Sequence, residues 1–223
     1  MIEASDLKKY FGSIRALDGV TVEIPGGVNL IVGPNGGGKS TFFKIAAGVY
    51  RPTSGRIRVL GKDPWRDAEF KRKVGVSFDP AGFPPFVTGR EWLELFAEYR
   101  GGNPDEVAEL LGIDFLDRRI REYSSGMRKK LSLAQALVGD PELVMIDEPL
   151  ANLDFEAMGR VVEIIKTLRK ETNFLLISHI WEPLLPVVDR VYVIAGGRLV
   201  AQGEVTEMKE VLRNLYSLSF TSR

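Results

Sequence analysis

The stretch VNLIVGPNGGGKST, residues 28–41, constrains the fold of this chain more than any other. The five residues 28–32, four of them apolar, are too few for a buried helix and suit a strand covered on both faces. They run into GPNGGGKST (33–41), which fits G-x-x-x-x-G-K-[ST], and the helical stretch FFKIAAG follows, with Gly48 placed to end it. In a strand–loop–helix of this kind, glycines let successive backbone N–H groups face phosphate oxygens without a Cβ in the way. The reading makes Gly33, Pro34, Asn35, Gly36, Gly37, Gly38, Lys39, Ser40 and Thr41 the phosphate loop. Lys39 supplies a positive charge to the β- and γ-phosphates, and Ser40 a hydroxyl for Mg²⁺.

The rest of the pattern is α/β. LVMI (143–146), FLLIS (174–178) and VYVIA (191–195) read as further buried strands, separated by helix-period segments, so a mainly parallel sheet is expected. In FEAMGRVVEIIKTLRK, Met158, Val161, Val162, Ile165 and Leu168 form one helical stripe, and Asp154 is placed to cap it. VTVEI (20–24) and GRIRVLG (55–61) instead alternate apolar and polar between turn signals, which predicts an N-terminal antiparallel layer. Residues 79–139 interrupt the strands with REWLELFAEYR, PDEVAELLG and the run after YSSGM, and so predict an inserted α-helical subdomain. The expected organisation is one domain over 1–223, with 1–78 and 140–223 as the nucleotide-binding core and 79–139 as the helical segment.

Three further features carry chemistry. LVMIDEP (143–149) ends its strand in Asp147-Glu148, at the carboxyl edge where open α/β sheets bind ligands. There Asp147 would hold the Mg²⁺ shell through water and Glu148 would meet the attacking water as general base. His179, the single histidine, follows FLLIS and belongs to the same edge, within reach of a γ-phosphate. YSSGM (123–127) places two hydroxyls and a glycine at a helix N-terminus, a second anion cradle remote in sequence from the first.

Composition narrows the partners. The 223 residues hold 30 basic and 30 acidic side chains, and the pI is about 6.7, which argues against nucleic acid as the main partner. There is no cysteine, hence no disulfide or thiolate metal site. No run approaches the roughly 20 apolar residues needed to cross a bilayer, and the charged start MIEASDLKKY is unlike a secretion signal, so a chain soluble by itself is expected.

Together these features resemble the ATP-binding subunits of ABC transporters over almost the whole chain. GPNGGGKST looks like the family's Walker A motif, LVMIDEP like its Walker B strand, and YSSGM stands at the position of the signature usually written LSGGQ. LANLD (150–154) resembles the D-loop, with Asp154 its acidic member, and ISH (177–179) resembles the switch-histidine loop. Phe11 falls where the family sets an aromatic ring against adenine, with Tyr10 the fallback if the register slips.

The resemblance implies ATP and Mg²⁺ as ligands, a second copy or homologous ATPase subunit packed head to tail, and a transmembrane permease at the cytoplasmic face of the membrane. It implies that Ser124, Ser125 and Gly126 contact ATP held by the partner, which answers why a second anion cradle exists. It also makes Lys39, Glu148, Asp154 and His179 the catalytic set.

Two positions depart from the family. Asp79, in VGVSFDPAGFPPF, stands where the Q-loop usually has glutamine, and is an expected member of the metal shell beside Ser40 and Asp147. Tyr123, Ser125 and Met127 replace Leu, Gly and Gln of the signature, a form that looks like exporter-type or drug-resistance subunits. Phe83 and Phe86 lie where the family receives a helix of the permease, or else pack the chain's own core as Trp92 is expected to. The alternative is a soluble ATPase of the same superfamily uncoupled from transport; it usually carries tandem domains or long coiled-coil insertions, which are not seen here.

Overall fold

The computed structural model describes residues 1–220, with side chains through residue 213. Among the described residues nine strands form two sheets. The first three residue ranges are β1 (Ile2–Phe11), β2 (Ile14–Ile24) and β3 (Val28–Val32), followed by helix α1 (Lys39–Ala46) and β4 (Ser54–Val59). Strands β2, β1 and β4, in that order, make an antiparallel sheet. The sequence reading expects the layer from VTVEI and GRIRVLG, and both lie in it, but they do not pair with each other. Between them sits β1, whose alternation is broken by register shifts between Ala4 and Leu7, so its apolar residues do not keep period two.

After α2 (Ala68–Lys73) and β5 (Val74–Ser77) come three helices, α3 (Gly89–Arg100), α4 (Pro104–Leu111) and α5 (Ser125–Leu137). The chain then returns through β6 (Leu143–Asp147), α6 (Phe155–Leu168), β7 (Asn173–Ile177), β8 (Arg190–Ala195), β9 (Arg198–Glu204) and α7 (Val205–Phe220). The larger sheet has the order β5-β6-β7-β3-β8-β9 and is parallel except for β9, which pairs antiparallel with β8. The central strands β3 and β6 are buried at every position, as a sheet covered on both faces requires.

The two coverings are different. Ile31, Met145, Leu175, Ile177 and Ile194 point into a cluster shared with α1 (Phe42, Phe43) and the antiparallel sheet. Leu30, Val32, Val144, Ile146, Leu176 and Val193 point the other way, into a cluster shared with α5, α6 and the helices of the 89–137 region. The helical region is thus continuous with the core through one apolar cluster. On α6 the buried face is Ala157, Val161, Ile164 and Ile165, while Met158, Val162 and Leu168 are partly buried beside it. Asp154 caps this helix, its Oδ1 accepting from the Ala157 N–H at 2.8 Å. Among the described residues no helix is long and apolar enough to cross a membrane.

Candidate nucleotide site

The carboxyl ends of β3, β6 and β7 meet at one edge of the parallel sheet, and the 33–41 loop, Asp147, Glu148 and His179 converge there. Gly38 stands at the N-cap of α1 with φ 108°, in the region that favours glycine, and offers no side chain to cap the helix. The first N–H groups of α1 therefore face outward as anion donors. The loop is braced from behind: Gly37 donates to Pro34 O at 3.1 Å, and Gly197, in the turn between β8 and β9, donates to Gly37 O at 2.9 Å.

Lys39 folds back over the loop, its Nζ donating to Gly33 O (2.8 Å) and Pro34 O (3.0 Å). Burial holds its pKa below the usual lysine value, with Glu148 and then Asp147 opposing that shift. Asn35, Gly36, Gly37, Gly38, Lys39, Ser40 and Thr41 line a cleft of about 240 Å³, together with Ala16, Asp79, Asp147 and Glu148. Gly33 and Pro34 lie beneath it as acceptors for Lys39.

Asp147 ends β6, 4 % exposed, and burial first, then Glu148, raises its pKa to about 6. Glu148 follows at φ 53°, a conformation uncommon for a residue with a Cβ, tied down by its N–H to Ile177 O at 2.8 Å. Two donors converge on its carboxylate, Ser178 Oγ at 3.1 Å and the His179 N–H at 3.1 Å, and His179 Nδ1 stands 2.8 Å from it. The sequence reading sends His179 toward a γ-phosphate; here the ring meets Glu148.

The signature residues lie elsewhere. Ser124 is the N-cap of α5, its Oγ accepting from the Met127 N–H at 3.2 Å. Ser124 and Ser125 are exposed, and neither they nor Gly126 line the phosphate-loop cleft. Ser125 instead borders a second cleft of about 370 Å³ with Asp79, Arg128, Lys129 and Asn152. Asp154 is likewise outside the first cleft and spends one carboxylate oxygen on capping.

Phe11 is 42 % exposed at the end of β1, edge-on to Tyr50 (centroids 5.5 Å apart), and does not line the cleft. Tyr10 is engaged with Asp18 at 2.8 Å. Phe83 packs edge-on against Trp92, whereas Phe86 is 72 % exposed.

Sequence reasoning missed two residues of the site. Ser178 was read as part of ISH with no role of its own; it is fully buried and is a hub between Glu148 and Ile180. Lys129, within the helical run after YSSGM, is 3 % exposed and its Nζ donates to Asp147 O at 2.6 Å. Burial lowers its pKa to about 8, while Asp79, Asp147 and Glu148 pull it upward. Only its position three and four residues before the buried Ser132 and Leu133 could have shown that it faces inward.

Among the described residues no group of three or more His, Cys, Asp and Glu side chains is set to hold a metal by itself. The donors at the cleft are a hydroxyl, Ser40, and carboxylates, Asp147 and Asp79. That set fits a hard cation that keeps water and takes phosphate oxygens, as Mg²⁺ does, and does not fit a closed protein cage.

Comparison with known proteins finds a matching family model, curated relatives and solved structures. The family model described as "ABC transporter" matches residues 17–151. The daunorubicin/doxorubicin resistance ATP-binding protein DrrA of Streptomyces peucetius is 34% identical over 95% of this chain and 67% of its own length. The bacitracin transport ATP-binding protein BcrA of Bacillus licheniformis is 31% identical over 99% of this chain and 74% of its own length. The dimeric post-hydrolysis structure of the ATP-binding cassette MJ0796 with ADP and Pi superposes with a TM-score of 0.84 at 22% identity, covering 92% of this chain and 99% of that one.

Proposed function

This chain belongs to the ABC transporter family as an ATP-binding cassette, and from that premise we propose that it hydrolyses ATP in a composite site shared by two cassettes and so drives a separate membrane permease. One observation carries the composite reading. A cleft lined by residues 35–41, Asp79, Asp147 and Glu148 stands in one molecule, while the signature stretch Ser124–Gly126 lies outside it with exposed hydroxyls. A second anion cradle turned to solvent is explained when it closes over the terminal phosphate of ATP bound to a partner.

The geometry supports the following roles. The N–H groups of 36–41 and the Lys39 ammonium bind the β- and γ-phosphates, with Lys39 exchanging its two loop carbonyls for phosphate oxygens. Ser40, Asp147 and Asp79 are the residues that would hold Mg²⁺, which when bound supplies charge neutralisation on the phosphates. Glu148, aimed by Ser178 and His179, orients water and accepts its proton, a contribution typically worth 10²–10⁴ in rate. Asp154 acts from the partner-facing side of α6, and Phe11 is the ring offered to adenine once nucleotide is bound. Phe86, exposed before α3, is the apolar residue offered to a permease helix. The YSxGM signature and the names of DrrA and BcrA support an exporter-type, drug-resistance-like subgroup for the chain, while the cargo itself is set by the permease.

The test is Glu148→Gln. The variant keeps shape and the cleft, so ATP binds, turnover falls by at least about 10², and an ATP-bound dimer accumulates on size-exclusion chromatography. Normal turnover would remove Glu148 as base. Specific activity that is independent of dilution, and unaffected by bulky residues at Ser124 and Gly126, would remove the composite site.

A further inference from the structure

Asp79 departs from the family's glutamine, and the structure supplies a residue that answers the extra charge. Lys129 lies on α5 five residues beyond Ser124 and is buried. Its Nζ is 4.0 Å from Asp79 Oδ1, at the outer limit of an ion pair, while it donates to Asp147 O at 2.6 Å. Asp79 borders both clefts, the one at the phosphate loop and the one in front of the N-terminus of α5. Three carboxylates, Asp79, Asp147 and Glu148, thus approach a cleft that must accept a polyanion, and their buried cations are Lys39 on the near wall and Lys129 behind.

We propose that Asp79 and Lys129 are a positioning pair: the Lys129 ammonium fastens the loop of residue 79 and the last carbonyl of β6 to helix α5, and balances the charge that aspartate brings where an amide would bring none. Through this pair the nucleotide-facing loop and the partner-facing signature end of α5 shift as one unit. The neighbouring ties between α5 and β5 are neutral: Ser132 Oγ to Ser77 Oγ at 2.8 Å and Gln135 Nε2 to Val76 O at 3.0 Å. The ion pair is therefore the contact on this face whose loss leaves a charge uncompensated. The charge-balancing half of the proposal rests on the cleft's being the ATP site; the fastening half does not.

The experiment is a double-mutant cycle of Asp79→Gln and Lys129→Gln with two readouts. In nucleotide-free protein each single variant is expected to melt about 5 °C lower, since each strands a partner, and the double variant to lose less than either alone. In EDTA, a fluorescent ATP analogue is expected to bind K129Q about tenfold more weakly, the effect of one missing charge seen through an effective dielectric near 20. The doubly neutral variant is expected within about twofold of the parent. Melting shifts that simply add, or K129Q binding the Mg-free analogue like the parent, would overturn the pair. Should K129Q fail to fold, folding of D79Q/K129Q is the rescue the pair demands, and failure of both overturns it. A parent that binds no analogue but shows coupled melting would refute the ATP site and leave the fastening intact.

Discussion

Gly75 is the position at which one methyl group tests how the site is held together. It lies in β5, against the C-terminal half of α5. A Cβ added there would overlap the carbonyl oxygen of Ala136 and stand 2.7 Å from its carbonyl carbon and 3.1 Å from its Cα. All three are backbone atoms, so no side-chain rotation relieves the clash and α5 must withdraw by about 1 Å. That movement lengthens three bonds between α5 and the strands: Ser132 to Ser77, Gln135 to the Val76 carbonyl, and Lys129 to the Asp147 carbonyl. A neutral bond contributes about 1 kcal/mol and a charged one about 2 kcal/mol, so Gly75→Ala is expected to cost about 3–5 kcal/mol.

For a chain of this size that is a drop of about 10 °C in melting temperature, measured by calorimetry without nucleotide. Gly159→Ala is the control. It lies within α6 with open space around it and no positive φ, and is expected to gain about 0.5–1 kcal/mol. In the folded fraction of Gly75→Ala, turnover should fall more than nucleotide binding, because α5 carries the signature residues and the phosphate loop is built on α1. A melting point within about 3 °C of the parent would refute the close packing of β5 on α5 as the restraint on that helix.

Other perturbations probe the catalytic edge. Ser178→Ala removes a donor from Glu148 and the acceptor of the Ile180 N–H; a loss of about 1–3 kcal/mol in stability is expected, with kcat reduced and KM for ATP little changed in steady-state assays. Lys39→Ala should lower phosphate release by about 10² or more, as removal of one preorganised charge does. Asp147, with its pKa raised to about 6 from 3.8, holds a proton in the folded chain between those pH values that the unfolded chain has released. Its burial penalty is therefore present at pH 7 and relieved as pH falls toward 4.5. Chemical denaturation without nucleotide should show the stability advantage of Asp147→Asn over the parent shrinking across that window by on the order of 1–2 kcal/mol; a constant difference would show that Asp147 does not titrate there.

The phosphate loop was legible because its chemistry is local. Glycines, a lysine and a hydroxyl at fixed spacing after a buried strand need no distant partner to be recognised, and the same holds for Asp147-Glu148 at a strand end and for the caps Ser124 and Asp154. The buried strands β6, β7 and β8 were legible from unbroken apolar runs, and β3 from a run interrupted only by Asn29. β1 was not singled out, because its shifted register hides the alternation, and its place between β2 and β4 depends on long-range pairing that leaves no mark within a short window.

Sequence by itself determined the phosphate-binding loop, the carboxyl-edge acids and the helix caps, since each is a matter of residues within a few positions of one another along the chain. Tertiary structure alone decided that Ser178 and His179 converge on Glu148, that Lys129 turns inward to Asp79 and the Asp147 carbonyl, and that the signature cradle stands apart from the cleft. Those are meetings of segments tens of residues apart. Their geometry is set by strand order and by how closely α5 can approach β5, and hydropathy does not distinguish a solvated lysine from a buried one until the helix is packed.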